Sequence, residues 1–252
     1  MFTSERHEEI LQRLHRDGKV KVKTMSELFG VSEDCIRKDL RQLEKQGLLR
    51  REYGGATALV QVFPRNVGSR KDKEAEAKQE IAQKAYDLIE DGETIFLDIS
   101  TTNIYLAQRL ASGKKRCIIV SNMIDILQIL AKNPLLSVIG TGGNVNQELN
   151  GFVGAMTIQI IEKHHFDRSF IGTLGVDAAF SSLMTFDLED GLVKECVISH
   201  STLSYVCMDA TKFYRSGNYS YAPLSAVDTL ICDSHLDGKM KKKLKESKIN
   251  FL

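Results

Sequence analysis

The sequence predicts an α/β protein in which a winged helix-turn-helix domain precedes a larger open α/β domain. The first supporting observation is a basic amphipathic helix followed by a basic hairpin within residues 31–57. The second is an alternation of short apolar strands and helical segments after residue 75, which is typical of a parallel sheet covered on both faces. We therefore expect three segments: a DNA-binding domain at 1–57, a linker at 58–72 and an α/β domain at 73–252.

The basic helix begins after Ser32, a residue type that favours the N-cap position. Its apolar residues recur at spacings of four and three, so they share one face that can be buried: Ile36, Leu40 and Leu43. Gly47 is predicted to end the helix in a left-handed conformation. The residues predicted on the opposite face are basic: Arg37, Lys38, Arg41 and Lys45.

A short hairpin is predicted from Leu48 to Gly55, with Tyr53 near its turn. Residues 37–51 contain six Lys or Arg against two carboxylates, a local excess of four in a chain whose net charge is +1. Such an excess is expected where a protein contacts phosphates, although a solvated helix face also carries charge. We expect major-groove contacts from Arg37, Lys38 and Arg41, and wing contacts from Arg50, Arg51 and Tyr53.

The residues before the basic helix favour DNA binding over a solvated face. Apolar side chains at residues 10–14 predict a first helix, and residues 19–23 alternate lysine with valine as a half-buried strand would. Residues 24–27 form a capping-box sequence that is expected to open a second helix, with Leu28 and Phe29 facing inward. Helix, strand, helix, turn, helix and hairpin is the order of a winged helix-turn-helix.

The composition predicts a cytoplasmic protein without a metal or cofactor. The N-terminal residues are acidic and contain no signal-peptide run, and no segment has the length of apolar sequence that spans a membrane. The five cysteines show no CxxC spacing, and the six histidines lack metal-ligand spacing. The chain also lacks the GxGxxG and GxxxxGK[ST] patterns of nucleotide-binding proteins.

The second domain is expected to contain six short strands separated by helices. The predicted helices cover residues 75–89, 103–110 and 123–130. The predicted strands are 94–97, 117–120, 135–139, 170–171, 205–208 and 229–232.

Small polar residues follow five of these strands. Ligands of open α/β sheets bind beyond the carboxyl ends of the strands, and helix N-termini at that edge favour anions. Each polar residue alone could be a helix cap or a turn, but their convergence predicts a site for a phosphorylated, hydroxylated small molecule, with Lys212 as a counter-charge. The candidate residues are Asp98, Ser100, Thr101, Thr102, Ser121, Asn122, Gly142, Gly143 and Lys212.

Over nearly its full length, the chain resembles the DeoR-type family of sugar-phosphate-responsive transcriptional regulators. The most specific motif is VSEDCIRKDLRQLEKQGLLRREYGGA, and IFLDISTT, VSNM, IGTGGN, FVG, SFIG and MDATKF follow in the order of the family. The resemblance implies a sensor domain related to sugar-phosphate isomerases and deaminases. It further implies an effector phosphate near the Ser/Thr loop, whose binding relaxes repression of a sugar-catabolic operon.

Three positions depart from the family pattern. Cys35 stands where the family usually has Thr, so the phosphate contact implied for the Ser32–Cys35 turn would involve a weaker donor. Ser100 stands where the family usually has Gly, which adds a side chain to the phosphate loop. Residues 181–184 replace a more Gly-rich stretch.

The sequence favours a DNA-binding repressor with no enzymatic activity. A homo-oligomer is expected because two half-sites on the duplex enlarge the small footprint of one winged helix. Two other classes remain open. An architectural DNA binder would bind without sequence preference. A phosphosugar isomerase or deaminase would take its acid/base groups from Asp98, Glu195, Asp209 and Lys212.

Overall fold

The computed structural model describes residues 3–45, 48–58, 66–177, 181–215 and 217–252. The chain divides into two compact units, residues 1–63 and 64–252, which we call the N-terminal and C-terminal units. The predicted linker limits, 58–72, stay a prediction because residues 59–65 lie outside the described ranges.

The N-terminal unit contains three helices and a small antiparallel sheet of strand order β1-β3-β2. Apolar side chains from each of these elements form one core, which includes Ile10, Val20, Met25, Leu40 and Leu49. The elements are α1 (Thr3–Asp17), β1 (Lys19–Lys21), α2 (Val22–Phe29), α3 (Glu33–Lys45), β2 (Leu49–Glu52) and β3 (Gly55–Ala58).

The second helix differs from its prediction. The expected strand at 19–23 ends at Lys21, and α2 begins at Val22, so the prediction that Thr24 caps this helix is wrong. The two-residue shift changes the inward face: Val22 and Met25 are buried, whereas Leu28 is 48% exposed. The reason is helical spacing, because position 28 lies outside the stripe made by positions 22, 25 and 29.

The predicted α3 and wing are confirmed. The backbone N–H of Cys35 donates to Ser32 Oγ at 3.3 Å, as expected for an N-cap, and the predicted apolar stripe of α3 is buried. Gly47 lies outside the described residues. In the hairpin, Gly54 has φ 77°, and a Cβ on Gly55 would lie 2.0 Å from the carbonyl oxygen of Val20. Glycine is therefore required where β3 approaches β1.

The C-terminal unit is built on a six-stranded parallel sheet, as predicted. Its helices are α4 (Ala75–Leu88), α5 (Thr101–Ser112), α6 (Ile124–Leu130), α7 (Ala155–Ile161), α8 (Leu188–Ser199) and α9 (Gly238–Glu246). The strands of the large sheet are β4 (Thr94–Leu97), β5 (Ile118–Ser121), β6 (Ser137–Gly140), β9 (Phe166–Gly172), β12 (Ser201–Cys207) and β14 (Thr229–Ile231).

The strand order is β14-β12-β9-β4-β5-β6, with parallel pairing throughout. The chain moves outward from β4 to β6 and then returns to β9 on the other side of β4. This reversal creates a topological switch point between β4 and β9, where open α/β sheets bind ligands. One apolar cluster packs α4, α5 and α6 on one face of the sheet, and a second packs α7, α8 and α9 on the other.

Two smaller sheets were not predicted. The hairpin of β7 (Asn144–Asn146) and β8 (Gly151–Val153) follows the Gly-Gly loop after β6. The antiparallel sheet β10-β11-β13 consists of β10 (Gly175–Asp177), β11 (Ser182–Thr185) and β13 (Tyr219–Pro223). The strands β7, β8 and β10 have three residues each, too few to produce a recognisable alternation of apolar and polar residues in the sequence.

Candidate functional sites

The exposed face of α3 carries the predicted basic residues. Arg37, Lys38 and Arg41 are all exposed, while Ile36 and Leu40 on the other side of the helix are buried. The helix therefore presents cations to solvent from a packed domain, which is the arrangement by which a recognition helix enters a major groove.

Arg37 is engaged by two carboxylates of its own helix, which the sequence reasoning overlooked. Its guanidinium contacts Glu33 at 2.6 Å and Asp34 at 2.7 Å. The hydrogen bond to Asp34 raises the pKa of Arg37. Both pairs are exposed, so each is a weak, salt-sensitive interaction that holds the guanidinium near the N-terminal end of α3.

The wing presents two exposed arginines and an exposed aromatic side chain. Arg51 donates its backbone N–H to Glu44 Oε1 at 2.9 Å, and its guanidinium lies 3.6 Å from the same carboxylate. Tyr53 is fully exposed at the tip of the hairpin, beside Gly54. Arg50 is also exposed.

A buried ion pair joins α1 to α3 and was not foreseen. Arg6 Nε lies 2.8 Å from Asp39 Oδ2, and Arg6 Nη2 donates to Asp39 Oδ1 at 3.2 Å. Arg6 Nη2 also lies 3.5 Å from Cys35 Sγ, so the half-buried Cys35 packs toward α1. A bidentate pair of this kind fixes the orientation of one helix on another.

In the C-terminal unit, the switch point is occupied by a buried ionic network centred on Asp98. Asp98 Oδ2 accepts from the backbone N–H of Gly172 at 2.9 Å and lies 2.5 Å from Lys194 Nζ. Lys194 also lies 2.9 Å from Asp190 Oδ1, and Thr185 donates to the other oxygen of Asp190. Burial raises the pKa of Asp98, against the opposing effect of Lys194.

The sequence reasoning found Asp98 but missed Lys194 and Asp190. Burial lowers the pKa of Lys194, but the two carboxylates outweigh it and the net shift is upward. The signal was present in α8, where Asp190 and Lys194 lie four residues apart beside the apolar Val193 and Val197. Glu195, which the sequence offered as an acid/base group for an enzyme, lies on the same helix. Its side chain is exposed, so it does not join the buried network of Asp98.

The Ser/Thr loop forms the start of α5 over the end of β4. Ser100 is the N-cap, and its Oγ accepts from the backbone N–H of Thr102 at 3.1 Å. Thr101 and Thr102 are buried. A Cβ on Gly172 would lie 2.5 Å from Ser100 Cβ, so glycine at the end of β9 makes room for the serine that replaces the glycine usual in the family.

Polar side chains also lie at the carboxyl ends of β5 and β6. Ser121 Oγ donates to Leu97 O at 2.7 Å and accepts from Met123 N, so this hydroxyl already supports the backbone. In contrast, Asn122 Oδ1 and Thr141 Oγ1 are buried without a hydrogen-bond partner in the described part of the chain. A buried polar atom without a hydrogen bond destabilises the fold unless a ligand or a water molecule supplies the missing partner.

The glycine loop after β6 has the backbone that its sequence suggests. Gly142 and Gly143 have φ of 64° and 119°. The carbonyl of Gly142 accepts from Thr157 Oγ1 at 2.8 Å, and a Cβ on Gly143 would lie 2.3 Å from that hydroxyl. Both glycines are therefore needed to bring the loop against α7.

Lys212 lies at the other side of the switch point in a group of four cations. Its Nζ donates to the carbonyl of Thr173 at 3.0 Å, directly after β9. Burial lowers the pKa of Lys212 to about 7, against the opposing effect of Asp209. Three neighbouring cations lower it further: Arg215, Arg70 and Lys78. We call Arg70, Lys78, Lys212 and Arg215 the cationic cluster.

Lys78 and Arg70 reach this cluster from the segment before β4. Lys78 is buried on α4 and donates to the carbonyl of Arg70 at 2.7 Å. Burial lowers the pKa of Lys78 to about 8 and also lowers the pKa of Arg70. Lys78 could have been recognised in sequence, because it shares the buried stripe of α4 with Ile81 and Ala85.

The switch point thus concentrates positive charge. The cationic cluster and Lys194 supply five basic side chains, and four carboxylates interact with them: Asp98, Asp190, Asp209 and Glu74. Like charges held together at such cost are typical of a site for an anion.

Among the described residues, none of the helices has the length and apolar character to cross a membrane. Those residues also contain no group of three or more His, Cys, Asp or Glu placed to hold a metal ion.

Comparison with known proteins follows the same division of the chain. Residues 6–62 match the family profile of the DeoR-like helix-turn-helix domain, and residues 73–234 match that of the DeoR C terminal sensor domain. The chain is 30% identical to the putative aga operon transcriptional repressor of Escherichia coli O157:H7, over 99% of this chain and 93% of that protein.

Two other relatives have similar coverage. The lactose phosphotransferase system repressor of Streptococcus mutans is 30% identical over 99% of each chain. The glycerol-3-phosphate regulon repressor of Escherichia coli K12 is 29% identical over 93% of this chain and 92% of that protein. The chain therefore belongs to the DeoR family of transcriptional regulators.

Proposed function

We propose that this protein represses a sugar-catabolic operon and releases its operator when a phosphorylated sugar binds at the switch point of the C-terminal unit. The observation that carries the proposal is the group of cations around Lys212, at the same sheet edge as the oxygen atoms of Asn122 and Thr141 that have no hydrogen-bond partner among the described residues. The names of the relatives support it, since they include repressors of an aga operon, a lactose phosphotransferase system and a glycerol-3-phosphate regulon.

On the DNA side, α3 enters the major groove. Arg37, Lys38 and Arg41 contact base edges or the phosphates beside them, and the N-terminal turn of α3 at Ser32 faces a phosphate, while the Cys35 thiol lies toward Arg6. Before Arg37 can pair with DNA, it exchanges Glu33 and Asp34 for the new partner. The wing contacts the backbone or the minor groove through Arg50, Arg51 and Tyr53.

On the effector side, the phosphate lies between the start of α5 and the cationic cluster. These two features adjoin, because Ser100 packs against Gly172 and Lys212 bonds the next residue, Thr173. Backbone N–H groups at Ser100 and Thr101 and the lysines together bind and neutralise the phosphate. Asp98 acts indirectly, by holding Lys194 and the backbone of Gly172.

The sugar extends from the phosphate along the edge of the sheet. The unpartnered oxygen atoms of Asn122 and Thr141 follow β5 and β6, whereas the cations gather beyond β9 and β12. Neighbouring strands are about 4.8 Å apart, so two spacings from β9 to β5 correspond to about 10 Å. A phosphorylated sugar of about six carbons spans this range, with hydroxyls donating to the Asn122 oxygen.

We propose no catalytic step at this site. Asp98 is already bound by Lys194 and by a backbone N–H, and Asp209 Oδ1 caps the 3₁₀ helix Ala210–Tyr214 by accepting from Thr211 N at 3.1 Å. These contacts give Asp98 and Asp209 structural roles, and we assign neither of them a role as a general acid or base. The protein acts in the cytoplasm as a homo-oligomer, which light scattering of the DNA-bound form would verify.

The test is a thermal-shift screen in which each phosphosugar is paired with its unphosphorylated sugar. A ligand at 100 times its Kd stabilises the native state by about 2.7 kcal/mol, so the effector should be visible directly. We expect one phosphosugar to raise the melting temperature and to release the protein from DNA of its own promoter. If sugar and phosphosugar act alike, or if the phosphosugar is turned over, the proposal is wrong.

A further inference from the structure

The most basic surface outside the cationic cluster lies on α9, near the C-terminus. Residues 238–248 contain six lysines and one carboxylate, Glu246, a local excess of five over eleven residues. The excess over residues 37–51, which include most of α3 and part of the wing, is four. The match to the family sensor domain ends at residue 234, before α9 begins.

α9 is held firmly on the C-terminal unit. Asp237 Oδ1 accepts from Met240 N at 2.7 Å and so caps the first turn. Leu244 is 3% exposed within the apolar cluster. After α9 the chain returns along β14, where Leu230 N donates to Asn250 O and Leu252 N donates to Leu230 O, each at 2.9 Å. The lysines therefore lie on an anchored helix.

Among the described side chains of α9, Lys241, Lys242 and Lys245 are poorly matched by carboxylates of the same helix. Lys241 and Lys245 are four residues apart, a like-charge spacing that destabilises a helix. The pair between Lys242 and Glu246 is 3.9 Å long and highly exposed, so it contributes little. The arrangement costs helix stability and leaves several cations facing solvent.

We propose that α9 is a second DNA-contacting surface, which binds phosphates of duplex DNA without reading bases. At about 1.5 Å per residue, Lys241 to Lys245 spans about 6 Å of helix. Duplex DNA carries a charge per about 1.7 Å of its axis, so two or three phosphates lie within reach of these lysines. This surface goes beyond the proposed function, which places DNA contacts only in α3 and the wing.

Duplex DNA fits α9 better than a membrane surface does. A helix that binds membranes inserts an apolar face between lipids. The apolar residues of α9, Met240 and Leu244, pack instead against the core of the C-terminal unit. The face of α9 that remains available is cationic, and phosphate contacts require nothing more.

The experiment compares two full-length triple variants of equal charge change. The first is Lys241→Gln, Lys242→Gln and Lys245→Gln, because Gln retains helix propensity. The matched control replaces three exposed cations elsewhere on the C-terminal unit: Lys114→Gln, Arg116→Gln and Lys132→Gln. Binding to a 40-base-pair duplex of random sequence is measured by fluorescence anisotropy over a range of salt concentrations. Equal melting temperatures establish that both variants are folded.

We expect the α9 variant to lower the slope of log K against log salt by about 2 to 3, at about 0.9 for each lost phosphate contact, and the control to keep the wild-type slope. A wild-type slope in the α9 variant, or an equal loss in both variants, overturns the inference. The inference is also overturned if the α9 variant loses binding to phosphatidylserine vesicles while its DNA binding stays unchanged. Arg41→Ala, measured in parallel, separates this failure from failure of the proposed function, because it tests α3 alone.

Discussion

The two units of this protein use positive charge in opposite ways. In the N-terminal unit, Arg37, Lys38 and Arg41 lie exposed on one helix, where water screens them. In the C-terminal unit, the cationic cluster and Lys194 are assembled at the sheet edge from four separate segments, and burial shifts the pKa of several members. Exposed cations suit a large polyanion that supplies many weak contacts, whereas buried cations suit one small anion that every group must contact.

This comparison predicts that single substitutions in the buried network affect folding most. Asp98→Ala leaves Lys194 with one carboxylate and Gly172 N–H without its acceptor, so we expect a loss of about 3 kcal/mol in the free energy of unfolding. Urea denaturation measures it. The control is Glu195→Ala on the exposed side of α8, which should stay within about 0.5 kcal/mol of wild type. Equal effects would show that the Asp98 network is not buried as described.

The next largest effect is expected on effector affinity. Lys212→Met removes one charged donor from the phosphate site. This should weaken phosphosugar binding by about 1.5–3 kcal/mol, which is a loss of affinity of about 10- to 150-fold. The stability of the unliganded fold should change little, because relief of the repulsion from Arg70, Lys78 and Arg215 offsets the lost hydrogen bond to the Thr173 carbonyl. Calorimetry with Lys132→Met as an exposed control measures the difference. A wild-type affinity in Lys212→Met would place the phosphate elsewhere.

Arg41→Ala should weaken operator binding by about 1–3 kcal/mol if Arg41 reads a base, and less if it contacts only a phosphate. Because the side chain is exposed, stability should change by less than about 0.5 kcal/mol. Titration of operator and of random duplex by gel shift separates the two cases: base reading reduces the preference for operator, whereas a phosphate contact weakens both equally. Undiminished operator affinity in the double variant Arg37→Ala, Arg41→Ala would show that this face of α3 is not the DNA surface.

The smallest predicted effect concerns pH. In the free protein, burial lowers the pKa of Lys212 to about 7 and that of Lys78 to about 8, and a bound phosphate raises both values. Binding therefore takes up protons, and affinity should fall by at most about tenfold as pH rises from 7 to 8. The phosphate itself is already a dianion in this range. Calorimetry in two buffers of different ionisation enthalpy measures the protons, and release of protons would contradict the account.

The sequence predicted the exposed surface better than the buried one. Helical periodicity within thirteen residues was sufficient to place Arg37 and Arg41 opposite Ile36 and Leu40, because that division is local. The six parallel strands were also recognisable, since buried strands are continuously apolar. The start of α2 was predicted wrongly, because Val22 fits both the alternation of a strand and the spacing of a helix.

The buried network depends on contacts that no local pattern encodes. Lys194 and Asp98 are 96 residues apart, and Arg70 comes from a segment that was interpreted as a linker. Asp98 and Lys212 were found only because strand ends meet at one edge of a parallel sheet. Lys78 and Lys194 did carry a signal, a lysine on the apolar stripe of a helix, and such positions are worth searching in other α/β domains.

The central claim is that DNA binding and effector binding use separate charged sites, and operator release by the phosphosugar tests it most directly. The measurement is the fraction of operator bound against effector concentration for wild type, Lys212→Met and Arg41→Ala, with thermal shift recorded in parallel. We predict that Lys212→Met holds the operator at effector concentrations that release wild type. Arg41→Ala should bind operator poorly and keep the full thermal shift. Release of Lys212→Met at the wild-type concentration would contradict the account.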